Sequence, residues 1–167
     1  MQEHGARPAL NVSHPRTRAH ATVIAGVAIA VVVVDQLTKW WATRVLAHRT
    51  IDLFWTFRLQ LQRNSGAAFS VAGGRGAVIA LLAIAVVVAL IAFGRFVDTR
   101  VGAVALGLVL GGAFGNLADR IFRSGGGFLG GGVIDFIDPQ WWPVFNVADA
   151  AVSVGGVLLV LVALRET

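Results

Sequence analysis

The chain sets long apolar blocks between short polar breaks, and one stretch departs from that rhythm. Residues 1–20 are polar, carry Arg7, Arg16 and Arg18 with Pro8 and Pro15, and read as a disordered basic tail. An apolar run from Ala21 to Val34 leads into Asp35-Gln-Leu-Thr-Lys39-Trp-Trp41 and predicts a first transmembrane helix over about 22–41. A signal peptide also has a basic start and an apolar core. Here no small-x-small cleavage pattern follows, and Asp35 and Lys39 continue one helical face. Trp40 and Trp41 fit an aromatic belt, with Lys39 snorkelling to the surface. Further apolar blocks predict helices over about 76–97, 101–120 and 146–164. In the third, Gly107, Gly111 and Gly115 recur every four residues, a pattern for close backbone packing.

Between the first two blocks the period changes. Phe57, Leu59 and Leu61 alternate with Arg58, Gln60 and Gln62, the signature of an amphipathic strand. An open strand cannot face hydrocarbon, so an interfacial β segment over about 45–70 is expected, closing in the turn Asn64–Phe69. Ser124–Gly132 reads as a flexible Gly-rich loop, and Asp138–Pro143 as a short connector with Trp141 and Trp142 at the interface. Residues 21–167 then form one four-helix membrane domain with both termini on one side. The positive-inside rule does not orient it, because one side holds six Lys/Arg and the other eight.

Composition supports the bilayer as solvent. Hydrophobic residues make up 56% of the 167 and charged ones 14%, and mean hydropathy is +0.74. The net charge of +5 is dispersed, with no basic stripe and no stacking platform, which excludes nucleic acid as a partner. Absence of cysteine excludes disulfides and thiol chemistry. Four scattered His without an HExxH pattern argue against a metal, and nothing calls for a cofactor.

The chemistry gathers in Gly111–Asp149, which holds four of the nine acidic residues. Acids beside apolar segments cost about 2.5–3.5 kcal/mol each on insertion scales, so each is a candidate functional group. Asn116-Leu-Ala-Asp119 and Asn146-Val-Ala-Asp149 echo one another. Asn146 and Asp149 also fit a helix cap, with the helix's positive end favouring negative charge. Asp135, in the apolar run Val133-Ile-Asp-Phe-Ile137, is expected to hold its proton unless it pairs with Arg120. Two such carboxylates brought together make the aspartic-peptidase arrangement, one a base on water and the other an acid. Asn116, Asp119 and Arg120 share a helix face. That makes them either a satisfied helix-end cluster or, through Asn116 and Arg120, a grip on substrate backbone. Asp35 and Lys39 fit an i,i+4 ion pair, and Asn64 fits a left-handed turn position. Two rival readings remain open on residues alone: a small proton-coupled transporter subunit using the acids as a relay, and a non-catalytic scaffold packed through its glycines.

In this order, DQLTKWWA (Asp35–Ala42), NSGAAFS (Asn64–Ser70), GNLADR (Gly115–Arg120), VIDF (Val133–Phe136) and FNVADA (Phe145–Ala150) resemble the lipoprotein signal peptidase family, signal peptidase II. The resemblance covers about residues 22–164. It implies an α-helical integral membrane protein, with four transmembrane helices and a small extracytoplasmic β-sheet cradle between helices 1 and 2. It also implies cytoplasmic termini in the bacterial inner membrane, an active site near the extracytoplasmic face, and a monomer in membrane lipid. The implied activity is an aspartic endopeptidase that removes the signal peptide from diacylglyceryl-modified prolipoproteins, cutting before the lipidated cysteine. The implied dyad is Asp135 and Asp149. Asn64, Gly112, Asn116, Arg120 and Asn146 match positions that contact substrate or support the site, and Asp35 and Lys39 match supporting polar positions. Asp119 becomes a supporting residue, expected to hold Arg120 or a nearby backbone group. The chain departs from many members in its longer Gly-rich loop at Ser124–Gly132 and its shorter Pro139–Pro143 connector.

Overall fold

A computed structural model of the chain describes residues 15–65, 75–123 and 131–165. The start of the basic tail, most of the turn after Asn64 and most of the Gly-rich loop lie outside the described residues. In order, the elements are helix α1 (Pro15–Val45), strands β1 (Ile51–Phe54) and β2 (Phe57–Asn64), helix α2 (Arg75–Phe93), a 3-10 turn (Gly94–Phe96), helix α3 (Arg100–Phe122), strand β3 (Val133–Asp138) and helix α4 (Val147–Arg165).

Among the described residues, three stretches are long and apolar enough to cross a membrane: Ala19–Val45, Arg100–Phe122 and Val147–Arg165. In α2 the described side chains add the apolar stretch Leu81–Phe93, and the sequence of the helix is apolar from Gly76 onward. Helix α1 is longer at both ends than its apolar run, and it takes in residues 15–20 that composition assigns to a tail. Proline suits the first turn of a helix, where its missing N–H is not needed. His20 fastens this end by donating from Nδ1 to the Val97 carbonyl at 3.1 Å.

Helix α3 is the central element, with half of its span buried against 6% for α1 and 11% for α4. The glycine repeat explains how. Gly107 and Gly111 lie so close to α1 that an added Cβ would come within 2.8 Å of Val27 Cβ and 2.7 Å of Val31 Cβ. Gly115 meets the Asp35 carboxylate on the same helix. Gly112, one residue round, lies against the Ala148 carbonyl and so lets α4 approach. Leu106 and Leu110 of α3 pack with Val87 of α2, whereas Val33, Val88 and Val157 are exposed on outward faces, as in a protein solvated by lipid.

The sheet sits at the end where α1 and α3 finish and α4 begins. Its antiparallel order is β1-β2-β3, so the third strand comes from the segment between α3 and α4 rather than from the stretch after α1. Strand β3 is covered on both faces, which removes the alternation that marks β2. Ile134 and Phe136 pack on Ala42 and Leu46 at the end of α1, joining sheet to bundle. Asn64 closes β2 opposite Val133 instead of opening a left-handed turn. Arg58 is bonded to Asp138 at 2.6 Å across the same pair of strands.

Gly111→Leu is expected to lower stability by about 1–3 kcal/mol, because the added side chain meets the Ala28 carbonyl and Val31. Thermal melts in detergent check this against Gly26→Leu, where nothing lies within 4 Å and no loss is expected.

Candidate active site

Asn146 ends the connector and caps α4. Its Oδ1 accepts from the Asp149 N–H at 3.0 Å, and Asp149 Oδ2 accepts from the Asn146 N–H at 3.1 Å. This reciprocal cap holds the Asp149 carboxylate at the positive end of the helix. The Asn146 amide nitrogen has two further hydrogens, and both are used. One goes to Asp135 Oδ1 at 2.7 Å and the other to Asn116 Oδ1 at 3.1 Å. Asn116 in turn donates to Asp149 Oδ1 at 2.7 Å, and Asn64 donates to Asp135 Oδ2 at 3.1 Å. All four oxygens of the two carboxylates thus have a donor, and Asn146 serves both acids.

Asp135 and Asp149 line one cavity of about 460 Å³. Asn64, Asn116, Arg120 and Ser153 complete its polar part, and Val86, Val109, Ala113 and Val152 make its walls apolar. Asp135 is 2% exposed. Burial, and next the nearby Asp149 carboxylate, raise its pKa from 3.8 to about 6, against the pull of the Asn64 and Asn146 amides. Arg120 is not the ion-pair partner of Asp135. It lines the cavity with a buried Nη1 that has no hydrogen-bond partner among the described residues.

The supporting residues stand behind this layer. Lys39 does not reach the surface: it is fully buried, with Asp35 at 2.8 Å, Asp119 at 3.0 Å and Asn116 Oδ1 at 3.0 Å. Its three ammonium hydrogens match these three acceptors. The i,i+4 pair with Asp35 forms as the spacing predicts, inside the protein. Asp35 Oδ1 also accepts the Ala148 N–H at 3.0 Å, so α1 satisfies an amide in the first turn of α4. Asp119 holds Arg123 at 2.6 Å and the Ile134 N–H at 3.1 Å, a backbone group as expected but a different arginine. The carboxylates Asp35 and Asp119 balance the cations Lys39 and Arg123. Gly112 is a packing position between α3 and α4 and does not line the cavity.

Sequence reasoning missed Gln36 and Arg123. The Gln36 amide reaches Asp35, Asp119 and the Gly115 carbonyl at 3.1–3.2 Å. Its place beside Asp35 in a helix that otherwise faces lipid was the available signal.

The chain is similar to known proteins over most of its length. Residues 27–165 match the family described as signal peptidase (SPase) II. The lipoprotein signal peptidase of Rhodococcus jostii is 44% identical over 162 residues, covering 96% of this chain and 79% of its own. That of Mycobacterium tuberculosis is 43% identical over 144 residues, covering 85% of this chain and 71% of its own. A bacterial membrane enzyme solved by the in meso method at 1.9 Å superposes with a TM-score of 0.75 at 28% identity, covering 88% of this chain and 95% of that one.

Two outcomes follow from the charges. With its pKa at about 6 folded and 3.8 unfolded, Asp135 makes the folded state bind more protons in that interval. Stability therefore falls as pH rises from about 4 to about 6, by on the order of 2–3 kcal/mol through this group. Melts of the wild type across that range are expected to show the slope and melts of Asp135→Asn to lose most of it; parallel curves would contradict the assignment. Lys39→Met leaves Asp35 and Asp119 buried without their shared cation. It is expected to cost about 3–5 kcal/mol, read as a lower denaturation midpoint.

Proposed function

The chain belongs to the signal peptidase II family, a family of membrane peptidases, and from that premise we propose that it removes the signal peptide from diacylglyceryl-modified prolipoproteins by an aspartic mechanism at Asp135 and Asp149. One observation carries this reading: Asn146 bonds both carboxylates at the wall of a single, largely apolar cavity. A purely structural pair of acids has no need of open space in front of it.

In the proposed cycle Asp149 is the base and Asp135 carries the proton. Asp135 is the better acid donor because its pKa of about 6 lies close to neutrality, and a bound lipid substrate desolvates it further. Water held between the two loses a proton to Asp149 as its oxygen adds to the scissile carbonyl carbon. The Asp135 proton passes to the carbonyl oxygen, giving a neutral tetrahedral diol. Asp149 then returns its proton to the departing amine of the lipidated cysteine as the C–N bond breaks. Asp135 recovers a proton from a diol hydroxyl as the new acid forms, and the dyad is reset. Arg120, with its unbonded Nη1 at the cavity wall, is suited to a substrate backbone carbonyl that water does not reach.

The reading includes the placement of the chain. Helix α2 is taken as a fourth span, with both termini in the cytoplasm of a bacterium. The sheet and dyad then lie at the extracytoplasmic face, where a lipidated cysteine would meet them. The enzyme is taken to act as a monomer in inner-membrane lipid.

Asp135→Asn and Asp149→Asn are each expected to reduce cleavage by about 10²–10⁴-fold while leaving the fold and substrate binding in place. A gel-shift assay on a diacylglyceryl-modified prolipoprotein measures it. Continued cleavage by both single variants, or loss in Asp119→Asn with retention in Asp135→Asn, would overturn the choice of pair.

A further inference from the structure

A second cavity, of about 350 Å³, adjoins the first at Asn64. Its lining is of a different kind: Gln62, Arg63 and Ser65 beside Asn64, roofed by the connector at Trp142 and Pro143. The strand register places Gln62 directly opposite Asp135 and Asn64 opposite Val133, so Gln62 and Asn64 share the face that carries the acid. Directly opposed side chains in such a pair have Cβ atoms about 4.5–5.5 Å apart. Asn64 uses its amide on Asp135, but the exposed Gln62 amide makes no hydrogen bond among the described residues.

Resting on the proposed function, we infer that this second cavity receives the first residues of the mature polypeptide, just beyond the lipidated cysteine, and that Gln62 holds their backbone. The substrate changes character at the scissile bond. The signal peptide before it is apolar and belongs in the apolar cavity. The mature chain after it is an aqueous polypeptide with unpaired amides and carbonyls. The two cavities change character at the same point, on either side of Asn64 and within one residue pair of Asp135. A primary amide offers both a donor and an acceptor, which suits an extended backbone whatever its side chains. Among the described residues, Arg63 adds the only formal charge in this lining, with no carboxylate beside it there. Gln62 is thus a substrate-binding residue on the leaving side, outside the dyad.

The test uses the full-length enzyme in detergent and two diacylglyceryl-modified peptides with the same signal peptide. One ends as an amide at the lipidated cysteine, and the other continues for four residues. For the wild type, kcat/KM is expected to be at least tenfold higher for the extended peptide, mostly through KM. In Gln62→Ala that ratio is expected to fall below threefold. Gln60→Ala, exposed on the same strand and lining neither cavity, is expected to keep the wild-type ratio. Equal rates on both peptides in the wild type, or an unchanged ratio in Gln62→Ala, overturn the inference and leave the peptidase reading intact. If Gln62→Ala alters the dependence on acyl-chain length instead, the cavity holds lipid and the inference is wrong. Failure of the wild type to cut either peptide overturns both.

Discussion

A single buried ammonium holds this structure in register. Lys39 has three hydrogens and three acceptors, from its own helix, from the end of α3, and from the asparagine that contacts Asp149. None of the three acceptors is free to move without stranding a charge in a medium where charge is expensive. Asp35 extends the constraint to α4 through the Ala148 N–H, and Asp119 extends it to β3 through the Ile134 N–H. Two helices and one strand are thereby fixed to α1 by polar contacts. Glycines on α3 bring the backbones close enough for those contacts to form.

The proposed dyad profits from this without being part of it. Asp135 and Asp149 arrive on a strand and a helix that both lead back to the Lys39 cluster, and their own partners are neutral amides. Amides orient a carboxylate without adding a full positive charge, so burial and mutual repulsion still raise the pKa of Asp135. A cation in contact with Asp135 would instead favour its ionised form. Separating the charged cluster from the neutral inner layer fixes the helices in one and leaves Asp135 with a raised pKa in the other.

Much of this was legible in the chain, and the failures share a cause. Helices α3 and α4 follow from their apolar blocks, and the glycine repeat identifies the packing face of α3. The alternation at Phe57–Gln62 gives β2. The Asn146–Asp149 spacing gives the cap, and the apolar setting of Asp135 gives its raised pKa. Strand β3 was hidden because both its faces are covered, which erases period two. Lys39 was misread because a lysine near the end of an apolar run usually finds water; its partners Asn116 and Asp119 lie about 80 positions away. For Asp119 the sequence offers Arg120 or a nearby backbone group; the Ile134 N–H is that group, and one helical turn brings Arg123 over Asp119 in place of Arg120. Local pattern reports local structure well. It does not report which of several nearby charges a distant segment will claim.

The bond from Asp35 to the Ala148 N–H ties residues 113 positions apart, and this bears on biogenesis. Synthesis delivers α1 to the bilayer well before α3 and α4 exist. Throughout that interval Asp35 and Lys39 have each other, one turn apart, and enter as a neutral couple instead of as two bare ions. Asp119 and Asn116 then join the couple, and α4 comes last, bringing the cap and Asp149 together. In a partly made chain Asp135 and Asp149 therefore stay apart, and Asn146 joins them only once α4 is in place.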